Sequence, residues 1–271
     1  MSALGTGQNM TDGNPPEVRP SATLILLQED PQLKTLMVQR GAETGYAAHA
    51  LVFPGGKVDE ADYAHARLLG LKEEPILIAA IAAIRETFEE TGLVLIARNG
   101  ETLHSQDDPE IFTKIMTERA AVVENAAHFG DVLKAHGVRP DLEALTYFSR
   151  WRTPPNIPKR FETWFFVAKA PASQQAAPDG IECLSAIWEM PGRLLEMREE
   201  KKAKLIFPTA RTLELLGQHE TFIDVREDAH QRDIPCIEPK VIERDGEAFL
   251  TIPEGLGYPI CAESLEKTTR G

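Results

Sequence analysis

The chain has 271 residues and 42% hydrophobic content, enough for one large core or for a single domain with additions. Its formal net charge of −13 removes the basic face that a sequence-independent grip on DNA or RNA requires. Three cysteines, Cys183, Cys236 and Cys261, have no CxxC spacing, so no disulfide framework is expected and a reducing compartment, the cytoplasm, is. No apolar run approaches the roughly eighteen residues of a membrane span, and the first residues carry no basic-then-apolar signal.

Residues 1–20 are rich in Gly, Pro, Asn and Thr and read as a flexible leader. The β-prone runs 22–28 and 35–40 are parted by Glu29-Asp30-Pro31-Gln32, the pattern of a hairpin. A further strand, 50–53, enters a tight turn at Pro54-Gly55-Gly56, where paired glycines let backbone groups approach an ion or a phosphate closely. The stretch 63–74 reads as an ordered loop, either a lid or a packing element, that leads into a helix start at Pro75.

From Pro75 to Thr91, Leu77, Ile81, Ile84 and Phe88 recur as one stripe of a helical period, and Gly92 is the expected left-handed stop. Glu86, Glu89 and Glu90 fall opposite that stripe in the last turn. Three carboxylates at the negative end of a helix repel one another. Arg85 relieves part of that strain as the i,i+4 partner of Glu89. A hard divalent cation between Glu86 and Glu90 would relieve the rest, since Mg²⁺ is held by one or two carboxylates plus phosphate oxygens and waters. The alternative is an ordinary solvated acidic face.

A strand is expected over 93–97, then a helix opened by Asp107-Asp108-Pro109 and running to about Asn125, and another over 130–136 ending at Gly137. These helices would build a substrate wall, a dimer contact or plain packing. The segments 147–154 and 158–167 concentrate basic and aromatic side chains in an otherwise acidic chain. In the second, Phe161, Thr163, Phe165 and Val167 alternate with Glu162, Trp164 and Phe166, the period of a strand. Arg150, Arg152, Lys159 and Arg160 could hold phosphates with Trp151 stacked on a base, or could simply balance neighbouring acids. Helices are expected over 192–203 and 208–216, and a hairpin with an Asp-Gly turn over 241–250.

Gly56, Asp62 and the run Arg85-Glu86-Thr87-Phe88-Glu89-Glu90-Thr91-Gly92-Leu93 resemble the Nudix box, the signature of hydrolases that cut diphosphates linked to another moiety. Asp62 stands where that family usually has glutamate and Thr87 where an aliphatic residue is usual. The segment between Asp62 and Arg85 is about fifteen residues longer than the family's usual one. A lengthened box after Leu51-Val52-Phe53-Pro54-Gly55-Gly56 is similar to the branch that includes peroxisomal coenzyme A diphosphatases and their bacterial relatives. The Trp151-Arg152-Thr153-Pro154 and Arg160-Phe161-Glu162-Thr163 elements resemble strands that line the substrate cleft in that branch.

The resemblance implies an α/β Nudix fold, a mixed β-sheet between α-helices, with helical inserts near 107–137. The hydrolase domain would span 21–225, followed by a C-terminal extension, 226–271. It implies water attack on phosphorus, with Mg²⁺ or Mn²⁺ held by Glu86, Glu90, Glu89 and Gly56, Glu89 or Glu86 orienting or deprotonating the water, and Arg85 as positioner. Arg150, Trp151, Arg152 and Arg160 would contact the substrate, and Glu182 would sit at the late strand where an acid can complete the site. The expected substrate is a small nucleoside diphosphate derivative, coenzyme A or acyl-coenzyme A, alternatively ADP-ribose or a dinucleotide, with no nucleic acid polymer, no membrane and a homodimer as the oligomer to test. A non-catalytic binding or regulatory module is the remaining reading. Its mark would be an eroded box, and Arg85, Glu86, Glu89 and Glu90 are all present.

Overall fold

The computed structural model describes residues 15–41, 48–180 and 182–270, so positions 1–14 of the expected leader lie outside the described residues. Strand β1 (Val18–Glu29) begins within the stretch read as leader and pairs antiparallel with β2 (Leu33–Arg40), Leu27 opposite Thr35. Leu24, Ile25, Leu26 and Leu27 are all fully buried. A continuous apolar run of this kind marks a central strand covered on both faces. β3 (Leu51–Val52) pairs with β2, and β4 (Gly55–Lys57) pairs with β1.

The expected loop after β4 is instead helix α1 (Glu60–Leu68) over most of its first half. Asp59 accepts from the Ala61 N–H while Asp62 accepts from the Asp59 N–H, a reciprocal cap that starts the helix without any apolar period. Its Ala66 packs on Ile78 and Ile81 of α2 (Pro75–Thr91), so the segment is a packing element. β5 (Ile96–Arg98), β6 (Glu101–Leu103), α3 (Pro109–Thr117), α4 (Arg119–Glu124), α5 (Ala127–Ala135) and β7 (Arg139–Pro140) follow. The strand expected at 93–97 thus starts at Ile96, and the single helix expected to Asn125 breaks at Glu118. Phe112, Ile115, Val122, Phe129 and Leu133 join the core around α2, which favours packing among the roles open to these helices.

β8 (Thr146–Arg152), β9 (Arg160–Lys169), β10 (Cys183–Glu189) and β11 (Cys236–Ile237) complete the main sheet, in the order β10-β2-β1-β9-β8-β11. β1 and β9 run parallel from Val18 opposite Arg160 to Leu27 opposite Lys169, while the neighbouring pairs are antiparallel. Strand alternation divides the side chains. Leu24, Leu26, Trp164 and Phe166 face α2, and Ile25, Leu27, Phe165 and Val167 face α6 (Pro191–Glu199), α7 (Phe207–Leu216) and α8 (Phe222–Gln231). The architecture is therefore the expected mixed sheet between helices, with helical inserts.

The expected hairpin is β12 (Lys240–Arg244) and β13 (Glu247–Thr251), joined by Asp245 and Gly246 with φ of 52° and 79°, and β14 (Ala262–Ser264) adds a third strand before α9 (Leu265–Arg270). This segment is tied to the main body by a buried ion network. Arg198 of α6 donates to both Glu263 oxygens at 2.8 and 2.9 Å, and Arg211 of α7, 1% exposed, donates to Glu214 at 2.6 Å and lies 3.6 Å from Glu263. Removing one partner of a buried pair leaves an uncompensated charge. Glu263→Ala should therefore cost about 3 kcal/mol or more in urea unfolding. A loss below about 1 kcal/mol, the range of an exposed pair, would mean that the network is solvated.

Candidate active site

α2 is buried on almost every side, because alanines let the sheet, α1 and α5 close on the faces between its larger residues. Ile78, Ile81, Ile84 and Phe88 are fully buried with Ala79 to Ala83, while Leu77 of the expected stripe is only half-buried. The three glutamates consequently do not lie on an open face. Glu86 and Glu89 are 15% and 16% exposed, and Glu90 is half-buried against β4 and β10. Gly92, at φ 74°, ends the helix and donates its N–H to the Phe88 carbonyl, as the sequence implies.

Arg85, 3% exposed, is the hub. Its Nε and Nη2 donate to the two oxygens of Asp62 at 2.8 and 2.9 Å, Nη2 also donates to the Lys57 carbonyl at 2.9 Å, and Nη1 donates to Glu89 Oε1 at 2.7 Å and Glu86 Oε1 at 3.0 Å. The expected Arg85–Glu89 pair forms, but the stronger anchor is Asp62. That aspartate is itself fixed by the α1 cap.

The two glycines of β4 abut the carboxylates. The Gly55 N–H donates to Glu90 Oε2 at 2.9 Å, and a Cβ on Gly55 would lie 2.3 Å from the Ala22 carbonyl oxygen. A Cβ on Gly56 would fall 2.3–2.7 Å from the Glu86 carboxylate. Gly55 therefore needs to be glycine against the β1 backbone, and Gly56 leaves the space in which the Glu86 carboxylate sits. From β10 the Cys183 thiol hydrogen-bonds Glu90, and the Glu182 carboxylate is near enough to act on Glu89 electrostatically. Arg119 of α4 donates to the Glu89 backbone carbonyl through Nε and Nη2 at 3.0 and 2.8 Å, and to the Ala177 carbonyl through Nη1 at 2.6 Å. This cation at the negative end of α2 was not foreseen from the sequence; a basic residue thirty positions away carries no local signal.

The other predicted residues are placed differently. Trp151, 3% exposed, lies in the core on the α7 side of the sheet, edge-on to Phe207 and Tyr258, so it has no free face for a base. Arg150 and Arg152 point to the opposite face and share Glu162, their Nε atoms donating at 2.8 and 2.7 Å, with Arg150 also stacked 4.6 Å above Trp164. Arg160 is buried and bonded to Glu238 at 3.0 Å and to the Thr153 carbonyl. Among the described residues no three His, Cys, Asp or Glu side chains are arranged to hold a metal ion.

The charge on α2 is under-compensated. Burial pushes Glu86 up to about 7 against the pull of Arg85, with Glu89 adding to the rise. Burial and then the neighbouring Glu86 push Glu90 up to about 8. Glu89 is also raised, chiefly by burial, with Glu182 contributing. A carboxyl whose folded-state pKa is raised stabilises the fold below its unfolded value and loses that contribution as pH rises through the folded one. With divalent cations chelated, the melting temperature should accordingly fall between pH 5 and pH 8 through these groups, and Glu90→Gln should flatten that slope. A melting temperature that rises over this range, unchanged by the substitution, would contradict the assignment.

Residues 75–215 match the family described as the NUDT19 Nudix domain. Two curated proteins named acyl-coenzyme A diphosphatase NUDT19 are 26% identical: one from Xenopus laevis over 67% of this chain and one from Gallus gallus over 64%. The chain spans 58% of the length of each. The crystal structure of a Nudix hydrolase from Alicyclobacillus acidocaldarius superposes over 77% of this chain and 96% of its own with a TM-score of 0.63 at 23% identity, which establishes the shared fold. With just over half of its residues matched, including the whole carboxylate helix clamped by Arg85, this chain belongs to the NUDT19 Nudix domain family.

Proposed function

We propose that the chain hydrolyses the diphosphate linkage of a nucleoside diphosphate derivative, with coenzyme A or acyl-coenzyme A as the substrate class. The observation that carries this reading is the clamp itself. A fully hydrogen-bonded guanidinium fixes Glu86 and Glu89, while Glu90 is fixed by a backbone amide, so three acidic groups stand rigidly beside a glycine strand with less positive charge than they need. A binding module that had lost turnover would have no reason to keep this arrangement. The names of the two vertebrate relatives support the choice of substrate.

The donor set suits a hard divalent cation, Mg²⁺ or Mn²⁺. The carboxylates of Glu86 and Glu90 are hard oxygen donors, Glu86 lies in the space that a Cβ on Gly56 would fill, and the raised carboxyl pKa values mark an unbalanced negative site. Glu86 and Glu90 would hold the ion, with phosphate oxygens and waters completing its shell. When bound, such an ion neutralises charge on the phosphate oxygens and acidifies a water. Glu86 or Glu89 then takes the proton of the attacking water; a carboxyl held near neutrality has the matching basicity. Arg85 positions both without touching substrate. Arg152, 39% exposed and sharing one carboxylate with Arg150, leaves that pair with an excess positive charge for the nucleotide end of the substrate.

Incubation with coenzyme A, acyl-coenzyme A, ADP-ribose and dinucleotides in the presence of Mg²⁺ or Mn²⁺, with products identified by mass, tests the reading. From coenzyme A the expected products are 4′-phosphopantetheine and adenosine 3′,5′-bisphosphate. Far higher kcat/KM for ADP-ribose or a dinucleotide would replace the substrate, and no turnover of any diphosphate would remove the enzyme reading. Glu90→Gln should lower kcat by about a thousandfold, the loss of several kcal/mol of barrier lowering, without lowering the melting temperature. Near wild-type turnover at saturating metal would sink the role of Glu90. Arg152→Ala should raise KM several-fold at nearly constant kcat, the signature of a contact made equally in ground and transition states; a collapse of kcat at constant KM would place Arg152 at the reacting phosphorus instead.

A further inference from the structure

The cations around the carboxylates and those expected to meet the substrate are largely engaged within the protein. Every donor nitrogen of Arg85 is bonded, Arg119 holds two backbone carbonyls, Arg150 and Arg152 share Glu162, and Arg160 is bonded to Glu238. Arg40 differs from all of these. It is the last residue of β2, where Leu36, Val38 and Arg40 alternate onto the sheet face that carries α2. Across the ladder it is paired with Cys183, whose thiol hydrogen-bonds Glu90. Its backbone is pinned by the 49–50 segment, the N–H donating to the Ala50 carbonyl at 3.0 Å and the carbonyl accepting from the His49 N–H at 3.1 Å.

The Arg40 Nε is buried and has no hydrogen-bond partner, and among the described residues its guanidinium forms no ion pair. Its charge nevertheless reaches Glu90 and Cys183, favouring the ionised form of each. A buried charged donor without an acceptor is unfavourable and calls for a partner that the described residues do not supply. A phosphate is such a partner, because guanidinium and phosphate pair through parallel charge-assisted hydrogen bonds. The local charge argues the same way. Glu86, Glu89, Glu90 and Glu182 face an incoming diphosphate with like charge, and Arg85, already committed to Asp62, lies on the Glu86 and Glu89 side of the cluster. Arg40 supplies positive charge on the Glu90 side.

We infer that Arg40 binds a non-bridging oxygen of the substrate's diphosphate beside Glu90. This assignment rests on the diphosphatase reading and adds to it a direct protein contact to the phosphates that is independent of the cation. It makes the end of β2, at the edge of the carboxylate cluster, part of the substrate site.

The test is calorimetric binding of α,β-methylene-ADP, a diphosphate that resists cleavage, with Mg²⁺ present, to wild type, Arg40→Gln and Arg40→Lys, with adenosine as the ligand lacking phosphate. Arg40→Gln keeps much of the stem and should weaken α,β-methylene-ADP by about tenfold or more, the loss of a charge-assisted pair. Arg40→Lys should recover part of that loss, and adenosine binding should not change. A structural role for Arg40 would weaken both ligands together or neither. Equal α,β-methylene-ADP affinity in wild type and Arg40→Gln, with diphosphate hydrolysis intact in wild type, would overturn the role of Arg40 and leave the diphosphatase reading standing. A wild type that neither binds this analogue nor cleaves any diphosphate would overturn both.

Discussion

The site depends on one buried guanidinium. Arg85 joins three elements: β4 through the Lys57 carbonyl, α1 through Asp62, and the last turn of its own helix, α2, through Glu86 and Glu89. Taking an arginine out of water is tolerable only when its donors are satisfied with good geometry, and here they are. The clamp explains why α1 must be a helix, since its cap holds Asp62 rigidly. It also explains Gly56, since a Cβ there would displace the Glu86 carboxylate that the clamp sets in place, whereas Gly55 is required by the backbone of β1.

That solution leaves a charge imbalance. Arg85 is shared among Asp62, Glu86 and Glu89, so among the described residues Glu90 is left with the Gly55 amide, the Cys183 thiol and the field of Arg40. The helix contributes its negative end at the same point, which Arg119 offsets at the Glu89 carbonyl. A fold selected for stability alone would dilute this cluster with neutral residues. In the proposed mechanism the imbalance is what attracts a cation and, with it, the diphosphate. Raised carboxyl pKa values then reflect a site built for a charge it does not itself contain.

Much of this was legible in the chain because it is local. The helix 75–91, its Gly92 stop, the Arg85–Glu89 pair and the strand alternation of 161–167 follow from period and spacing. The stripe of Leu77, Ile81, Ile84 and Phe88 is narrower than the buried surface, because Ala79, Ala80, Ala82 and Ala83 are buried as well. α1 was missed because its inward residues include Asp62 and His65, which no apolar period detects, although the Asp59 and Asp62 caps were visible. Trp151 was grouped with Arg150 and Arg152 by proximity in sequence. Adjacent strand residues point to opposite faces, so the tryptophan went to the core while the arginines went to the other side. The electrostatic reach of Glu182 to Glu89, the pairing of Arg40 with Cys183 and the ion pair of Arg160 with Glu238 depend on strand order and register, which no single-sequence pattern encodes.

The central claim is that the carboxylates at the end of α2, held above the ordinary carboxylate range by burial, form a cation-accepting site. It is tested most directly by calorimetric titration of Mn²⁺ at pH 7 in buffers of different ionisation enthalpy. Because Glu86 and Glu90 are pushed to about 7 and about 8, cation binding should expel protons, seen as a buffer-dependent heat that Glu90→Gln reduces. Saturable binding without proton release, or release that is the same in Glu90→Gln, would contradict the account.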